Sequence, residues 1–309
     1  MTLAASTTPP IISTPPRTTR IALLGCGGIG TALAQALAEH DGYELTGALV
    51  RSVEGRKRPA AVPRLTNSFD EILAQRPDVV VECLGGIEPA ASWCERLLES
   101  GVSVVSANKL MAAESLDRLA RAALRGGAQI RFDAAVCAGV PVLDAVARLR
   151  SAGITAVRGV VNGTTQWMLD EVTERKVTVE AALFEAIRLG YAEPDPSADL
   201  SGRDSADKLS LLSAAAGFGL VPIAAIAVAG LADARGSLIS DDILDFQRWG
   251  ALRLVAEVTR EEVGAPISAS VTPTLVARTD VLDSIQRRGK RLALAVVELD
   301  VVARGRACL

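Results

Sequence analysis

The stretch RIALLGCGGIGTALAQALAEHDGYELTGALV, residues 20–50, constrains the fold more than any other part of the chain. An apolar run, Ile21–Leu24, leads into Gly25-Cys26-Gly27-Gly28-Ile29-Gly30, which has G-x-G-x-x-G spacing. Leu33, Ala36 and Leu37 then recur at helical intervals. Glycines so placed permit a tight turn, let backbone approach a pyrophosphate and pack a helix closely on a sheet. The helix N-terminus offers unpaired N–H groups to phosphate. A second strand, Glu44–Val50, completes a strand–turn–helix–strand unit. Gly25, Gly27, Gly28, Ile29 and Gly30 are therefore candidate cofactor-binding residues, against the plainer reading of a tight turn.

The residues just past the second strand bear on the choice of dinucleotide. NAD binders usually place an acidic residue there to accept from the ribose 2′-OH. Here the chain reads Val50-Arg51-Ser52, with Arg56-Lys57-Arg58 close behind. A guanidinium suits a 2′-phosphate. Arg51 thus points to NADP, while NAD stays open because a solvated basic loop would look the same.

Strand and helix patterns keep alternating. Asp78–Leu84 reads as a buried strand ending in Gly85-Gly86, where backbone can lie against a cofactor. Pro89–Glu99 reads as a helix, Val102–Val105 as a strand, Ser115–Leu124 as a helix and Gln129–Phe132 as a strand. This predicts an α/β fold, a Rossmann-type doubly wound parallel sheet whose ligands gather at the carboxyl ends of its strands. Lys109, just past one such end, is a candidate for the crevice. From about Pro141 the pattern changes to that of a second, α+β domain for catalysis and dimerisation. The expected organisation is a flexible tail at 1–19, a NAD(P)-binding domain at 20–140 and the second domain at 141–309.

In the second half Val157–Val161 reads as a strand running into Asn162-Gly163-Thr164-Thr165, a turn and N-cap for a helix at 166–173. A helix at Val179–Leu189 stops at Gly190. Next comes GYAEPDPSADLSGRDSADK, residues 190–208, crowded with carboxylates and running into a helix at about 203–217. Asp204 and Lys208 stand four apart and share a helix face. A surface ion pair would look the same. Against it, Ala206, Leu209, Leu211 and Leu212 mark the helix as packed, and the proline-stiffened loop before it carries Glu193. Stiff carboxylates beside a lysine suit a substrate bearing an ammonium and a group that gains or loses a proton.

Composition removes several classes of function. A net charge of −3 offers no basic field for nucleic acid or an anionic membrane. The longest apolar runs fall short of the ~20 residues of a membrane helix. Five scattered cysteines without metal-ligand spacing fit a reducing compartment, and the Thr/Ser/Pro-rich start lacks the apolar core of a secretory signal. A cytoplasmic protein is expected. The single histidine, His40, lies on the first predicted helix, so proton chemistry falls to Lys, Asp, Glu, Tyr or Cys.

The motifs GCGGIG, VVVECLGG, VVSANK, FDAAVCAGVP, VVNGTT and GYAEPDPSADLSGRDSADK together resemble homoserine dehydrogenase along residues 20–275. That family interconverts L-homoserine and L-aspartate 4-semialdehyde with NAD(P), on the route to threonine and methionine. The resemblance implies Lys208 as proton donor and Lys109 as a second active-site lysine near cofactor and substrate. It implies Glu193 and Asp204 as substrate-binding carboxylates, and Gly85 and Gly86 against the cofactor. It also implies a homodimer paired through the second sheet, with Ile267–Val271 and Leu292–Val301 as candidate strands. A sodium site would match Asp133, Val136, Ala138 and Val140, with aspartate standing where the family has glutamate. The family's closing Pro-Thr-Ala-Ser helix has no counterpart in the last residues, so a looser cofactor and no feedback through an appended module are expected. Two other readings stay open: a non-catalytic NAD(P)-binding homologue, and a related oxidoreductase acting on another small amino acid or aldehyde.

Overall fold

The structure is a computed structural model and describes residues 17–137, 141–232, 250–262, 264–280, 282, 296–301 and 305–308. The first half alternates strand and helix: β1 (Thr19–Leu24), α1 (Gly28–Leu37), β2 (Tyr43–Leu49), β3 (Leu65–Thr66), α2 (Phe69–Ala74), β4 (Val79–Glu82), α3 (Ala90–Glu99), β5 (Ser103–Ser106), α4 (Lys109–Gly126) and β6 (Ile130–Arg131). Its six strands pair in the order β3-β2-β1-β4-β5-β6, every neighbour parallel. This is the doubly wound arrangement the alternation predicts. Strand order reverses beside β1, so the crevice for a ligand opens past the ends of β1 and β4.

The remaining elements are α5 (Asp133–Val136), α6 (Val142–Leu149), β7 (Ile154–Val160), α7 (Gly163–Arg175), α8 (Val179–Leu189), α9 (Ser197–Leu200), α10 (Arg203–Ala216), β8 (Ala227–Val228), β9 (Gly250–Thr259), β10 (Ser268–Ala277), β11 (Val296–Val301) and β12 (Gly305–Cys308). A second six-stranded sheet has the order β12-β11-β7-β9-β10-β8. It is antiparallel except where β8 joins β10.

Helix α10 links the two sheets. It packs on α4, α5 and α6 from one side and on β7 and β9 from the other. Ala206, Leu209, Leu211 and Leu212 are buried in the same apolar cluster as Val104, Met111 and Ala112 of the first sheet's layer and Val157, Leu254 and Val258 of the second sheet. Burial of that many aliphatic side chains, at about 1.5–3 kcal/mol each, fixes α10 against both layers. Charged groups on its first turn are thereby held beside the crevice.

Two elements extend beyond the sequence reading. The helix expected at Ser115–Leu124 starts at Lys109, because the Asn108 side chain accepts from Met111 N at 3.1 Å and caps it six residues earlier. The strand expected at Ile267–Val271 runs on to Ala277, paired along its whole length with β9. Among the described residues no helix is long and apolar enough to cross a membrane.

Candidate active site

The glycine turn after β1 has the geometry that its spacing demands. Gly25 sits at φ +103°, and a Cβ there would lie 2.7 Å from Cys83 O. A Cβ on Gly30 would lie 2.3 Å from Gly25 O, so only glycine lets α1 come this close to the turn. By contrast, a Cβ on Gly27 or Gly28 would meet nothing within 4 Å, and Ile29 is 62% exposed. No side chain caps α1 and no acid lies in its first turn. Open space therefore faces free N–H groups at a helix N-terminus, which fits a pyrophosphate. Arg51, exposed just beyond β2, has no side-chain partner among the described residues. Arg56 donates to Cys26 O, tying the basic loop to the glycine turn.

Across the crevice, Gly85 and Gly86 follow β4 with φ +83° and +75°. They are fixed by Glu82, a fully buried carboxylate that accepts from Leu84 N at 2.7 Å and Ser106 Oγ at 2.5 Å. The Asn108 amide donates to Gly86 O at 2.6 Å while its oxygen caps α4. The glycine pair and the first turn of α4, which carries Lys109, are thus one hydrogen-bonded unit.

The acids and lysines meet at the start of α10. Asp204 is 4% exposed and its two oxygens are shared between two lysines. Oδ1 pairs with Lys109 Nζ, reaching over from the first layer, and Oδ2 lies 2.7 Å from Lys208 Nζ. Lys208 Nζ also donates to Val161 O at 2.8 Å, at the end of β7. The Asn162 amide donates to Asp204 Oδ2 at 2.9 Å and to Asp199 Oδ1 at 2.6 Å. Burial opposes charge on Asp204, but the Lys208 charge and the Lys109 hydrogen bond outweigh it and hold the carboxyl below its usual range. Burial likewise works against the Lys109 ammonium, yet the bond to Asp204 and the charges of Asp204, Asp199 and Asp207 raise it. Both groups are therefore kept ionised in a partly dry cleft. Asp207, buried on the same helix, is pushed up by burial despite its 2.9 Å pair with Arg203 Nε.

Such a cleft, with a free helix terminus on one wall and two ammonium groups on the other, matches a known family over both halves. The homoserine dehydrogenase family model matches residues 141–305, and the model of the homoserine dehydrogenase NAD binding domain matches residues 25–133. The chain belongs to the homoserine dehydrogenase family. The homoserine dehydrogenase of Corynebacterium glutamicum is 33% identical over 282 residues, covering 86% of this chain and 62% of that protein. The one from Bacillus subtilis is 35% identical over 274 residues, covering 83% and 61%. The crystal structure of a homoserine dehydrogenase from Thiobacillus denitrificans superposes with a TM-score of 0.82 at 28% identity, over 94% of this chain and 68% of that one. The chain spans about three fifths of the length of the curated relatives it matches.

Within this family frame the expected residues divide into two groups. Lys109, Asp204 and Lys208 converge at the crevice, and the turn from Gly25 to Gly30 abuts the end of β4 just before Gly85 and Gly86. Glu193, expected beside them, is exposed on the loop after α8 and joins no hydrogen bond or ion pair among the described residues. The aspartate that does reach the cluster is Asp199, six residues further on. Asp133 Oδ1 accepts from Leu143 N at 3.0 Å and Asp144 N at 3.2 Å, capping α6. Ala138 and Val140, its expected partners around an ion, lie outside the described residues. Sequence reasoning gave no role to Asp199, Asn108 or Glu82 and read 162–165 as a turn and N-cap for a helix at 166–173, whereas Asn162 itself is the cap and the helix starts at Gly163. Asn108 and Asn162 each precede a helix at the end of a strand, and that position was the signal available.

Proposed function

We propose that this chain interconverts L-homoserine and L-aspartate 4-semialdehyde with a nicotinamide cofactor, preferring NADP over NAD. The observation that carries the reading is Asp204, buried between Lys109 and Lys208 at the mouth of the cofactor crevice. When bound, the nicotinamide supplies the hydride that reduces the aldehyde carbon. Charge then develops on the aldehyde oxygen, and the Lys208 ammonium is placed to stabilise it and deliver its proton, giving the primary alcohol. In the reverse direction the neutral Lys208 amine takes the proton from the hydroxyl. Two of the three Lys208 Nζ hydrogens are held by Asp204 and Val161 O, which leaves the third for substrate. Lys109 balances the second Asp204 oxygen and stands on the cofactor side. Asp199 and Glu193 supply anionic groups for the substrate ammonium, Glu193 from its exposed loop.

Arg51 supports the NADP preference, since β2 ends without a carboxylate and its guanidinium is unengaged. For a sodium ion the chain offers Asp133 Oδ2 and the carbonyl of Val136. A homodimer in the cytoplasm completes the reading. It would pair through the face of the second sheet that carries Ser270, Thr272 and Thr274.

The test is NADP reduction by the purified protein with homoserine, beside the Lys208→Ala variant. Loss of the proton donor should lower kcat about 10²-fold or more with NADPH binding retained. Unchanged turnover in the variant removes Lys208 from this role. A wild-type protein that binds NADPH but turns over no homoserine overturns the reading itself.

A further inference from the structure

We infer that Asn162 is a positioning residue for this reaction, its side-chain amide holding Asp199 and Asp204 together so that Lys208 is fixed between β7 and α10. The inference rests on the dehydrogenase reading above and deepens it. Asn162 is 4% exposed, at the junction of β7 and α7. Both hydrogens of its Nδ2 are used, one on Asp199 Oδ1 at 2.6 Å and one on Asp204 Oδ2 at 2.9 Å. Its Oδ1 accepts from Thr165 N at 2.8 Å and Thr165 Oγ1 at 3.0 Å. A flipped amide would set its oxygen against two carboxylates and its NH₂ against a backbone N–H, so the orientation is fixed by its partners.

Capping α7 does not explain the residue. Ser, Thr or Asp would cap the helix as well, since a cap needs only an oxygen acceptor. An amide is needed to put a neutral double donor between two anions. Lysine would add charge, serine has one hydrogen to give, and an ionised aspartate has none. The preceding residue contributes to the same task, because Val161 O takes Lys208 Nζ. Two consecutive residues at the end of β7 thus fix the lysine and its carboxylate together. The charged and titratable groups around Asp204 are Lys109 from α4, Asp199 from α9, Asp207 and Lys208 from α10, and Cys137 after α5. Three carboxylates against two ammonium groups, with Arg203 on the far side of Asp207, leave the pair of aspartates repelling each other unless a neutral donor joins them.

The decisive variants are Asn162→Ser and Asn162→Asp, both of which keep the helix cap. Each should bind NADPH as the wild type does. The kcat for homoserine should fall ten- to a hundredfold in Asn162→Ser and further in Asn162→Asp. The acid limb of the pH profile should move to higher pH in the same order, because Asp204 loses a hydrogen bond to its charged form and then gains a like charge. Independently of turnover, the Asp204 carboxyl resonance, followed by 13C NMR and assigned with Asp204→Asn, should titrate at higher pH in both variants. Wild-type turnover, measured first, reports on the dehydrogenase reading, while the carboxyl titration decides the role of Asn162 whether or not homoserine is turned over. An Asn162→Ser protein with wild-type kcat and acid limb, or an Asp204 carboxyl that titrates as in the wild type, overturns the inference. Asn162→Asp carries the same test if the serine variant does not fold.

Discussion

Lys208 Nζ lies 2.7 Å from Asp204 Oδ2 one helical turn back, and the carboxylate's other oxygen is held by Lys109 from a different layer of the fold. An i, i+4 pair on a solvated helix contributes a few tenths of a kcal/mol. This pair differs because Asp204 is buried and joins two layers through one carboxylate.

Replacing Asp204 with Asn leaves two ammonium groups facing an amide in a partly dry cleft. Breaking one side of a buried ion pair costs about 3–5 kcal/mol, so the Asn variant should be less stable by roughly that amount at pH 7. Its kcat should fall about 10²-fold through loss of the Lys208 anchor. The sign of the pH dependence comes from the depressed carboxyl. Its contribution is fully present above the usual carboxylate range and is lost as pH falls through the lower value in the folded chain. The stability gap between wild type and variant, measured by urea denaturation, should therefore narrow below about pH 4. A gap that stays constant down to pH 2 would deny Asp204 its charge in the folded state.

Gly30→Ala tests the close approach of α1 to the glycine turn. The added Cβ would stand 2.3 Å from Gly25 O, and backbone must move to relieve it. Overpacking of this kind costs about 1–3 kcal/mol. NADPH affinity, read by fluorescence, should drop at least tenfold, whereas Gly28→Ala, with open space at its Cβ, should leave the melting temperature unchanged. Equal melting temperatures for Gly30→Ala and wild type would contradict the packing.

Local patterns made much of this visible in the chain, and long-range partners hid the rest. The glycine turn, the parallel alternation and the helix stop at Gly190 arise from spacing and backbone freedom, which act over a few residues. Helix α10 was legible because Ala206, Leu209, Leu211 and Leu212 mark it as packed. Strand β9 was not read at all. Its run GALRLVAEVT is interrupted by Arg253, which is buried mid-strand and paired at 3.2 Å with Asp170, 83 residues away. Nothing local announces that partner. The same limit hid Asp199, which joins the cluster while Glu193 stays exposed. Both lie in one acidic stretch, but Asp199, which meets Asn162, sits on the short helix α9, while Glu193 lies on the loop before it. Lys109 was singled out by its place past a strand end and Lys208 by its spacing from Asp204, while the bridge that Asp204 makes between them became visible only through packing across the two sheets.

Arg51→Ala tests the choice of dinucleotide. A charge-assisted hydrogen bond to a 2′-phosphate contributes about 1.5–3 kcal/mol. The KM for NADP should therefore rise at least tenfold while the KM for NAD stays within about twofold. Because the interaction is exposed, the effect should shrink between 50 mM and 500 mM salt. If both KM values shift alike, Arg51 does not read the phosphate.

Asp207→Asn probes a carboxyl that burial holds above its usual range even though Arg203 lies 2.9 Å away. A raised acid binds its proton more tightly in the folded than in the unfolded chain. Stability is then lost as pH rises from the ordinary carboxyl value through the higher folded one, and it is not regained above. Asparagine imitates the protonated side chain and carries no such dependence. The Asn variant should match or trail the wild type at pH 4, nearer the acid's neutral form. Its melting temperature should rise relative to wild type toward pH 7 to 8, as Asp207 loses its proton beside Asp204. Lys109 also loses one of the three acids that raise it, so any change in the alkaline limb of activity should be toward lower pH. Thermal denaturation of both proteins at the two pH values checks the sign. A variant that is less stable than wild type at pH 8 by more than at pH 4 would mean that the Arg203 pair, rather than burial, sets the energetics of Asp207.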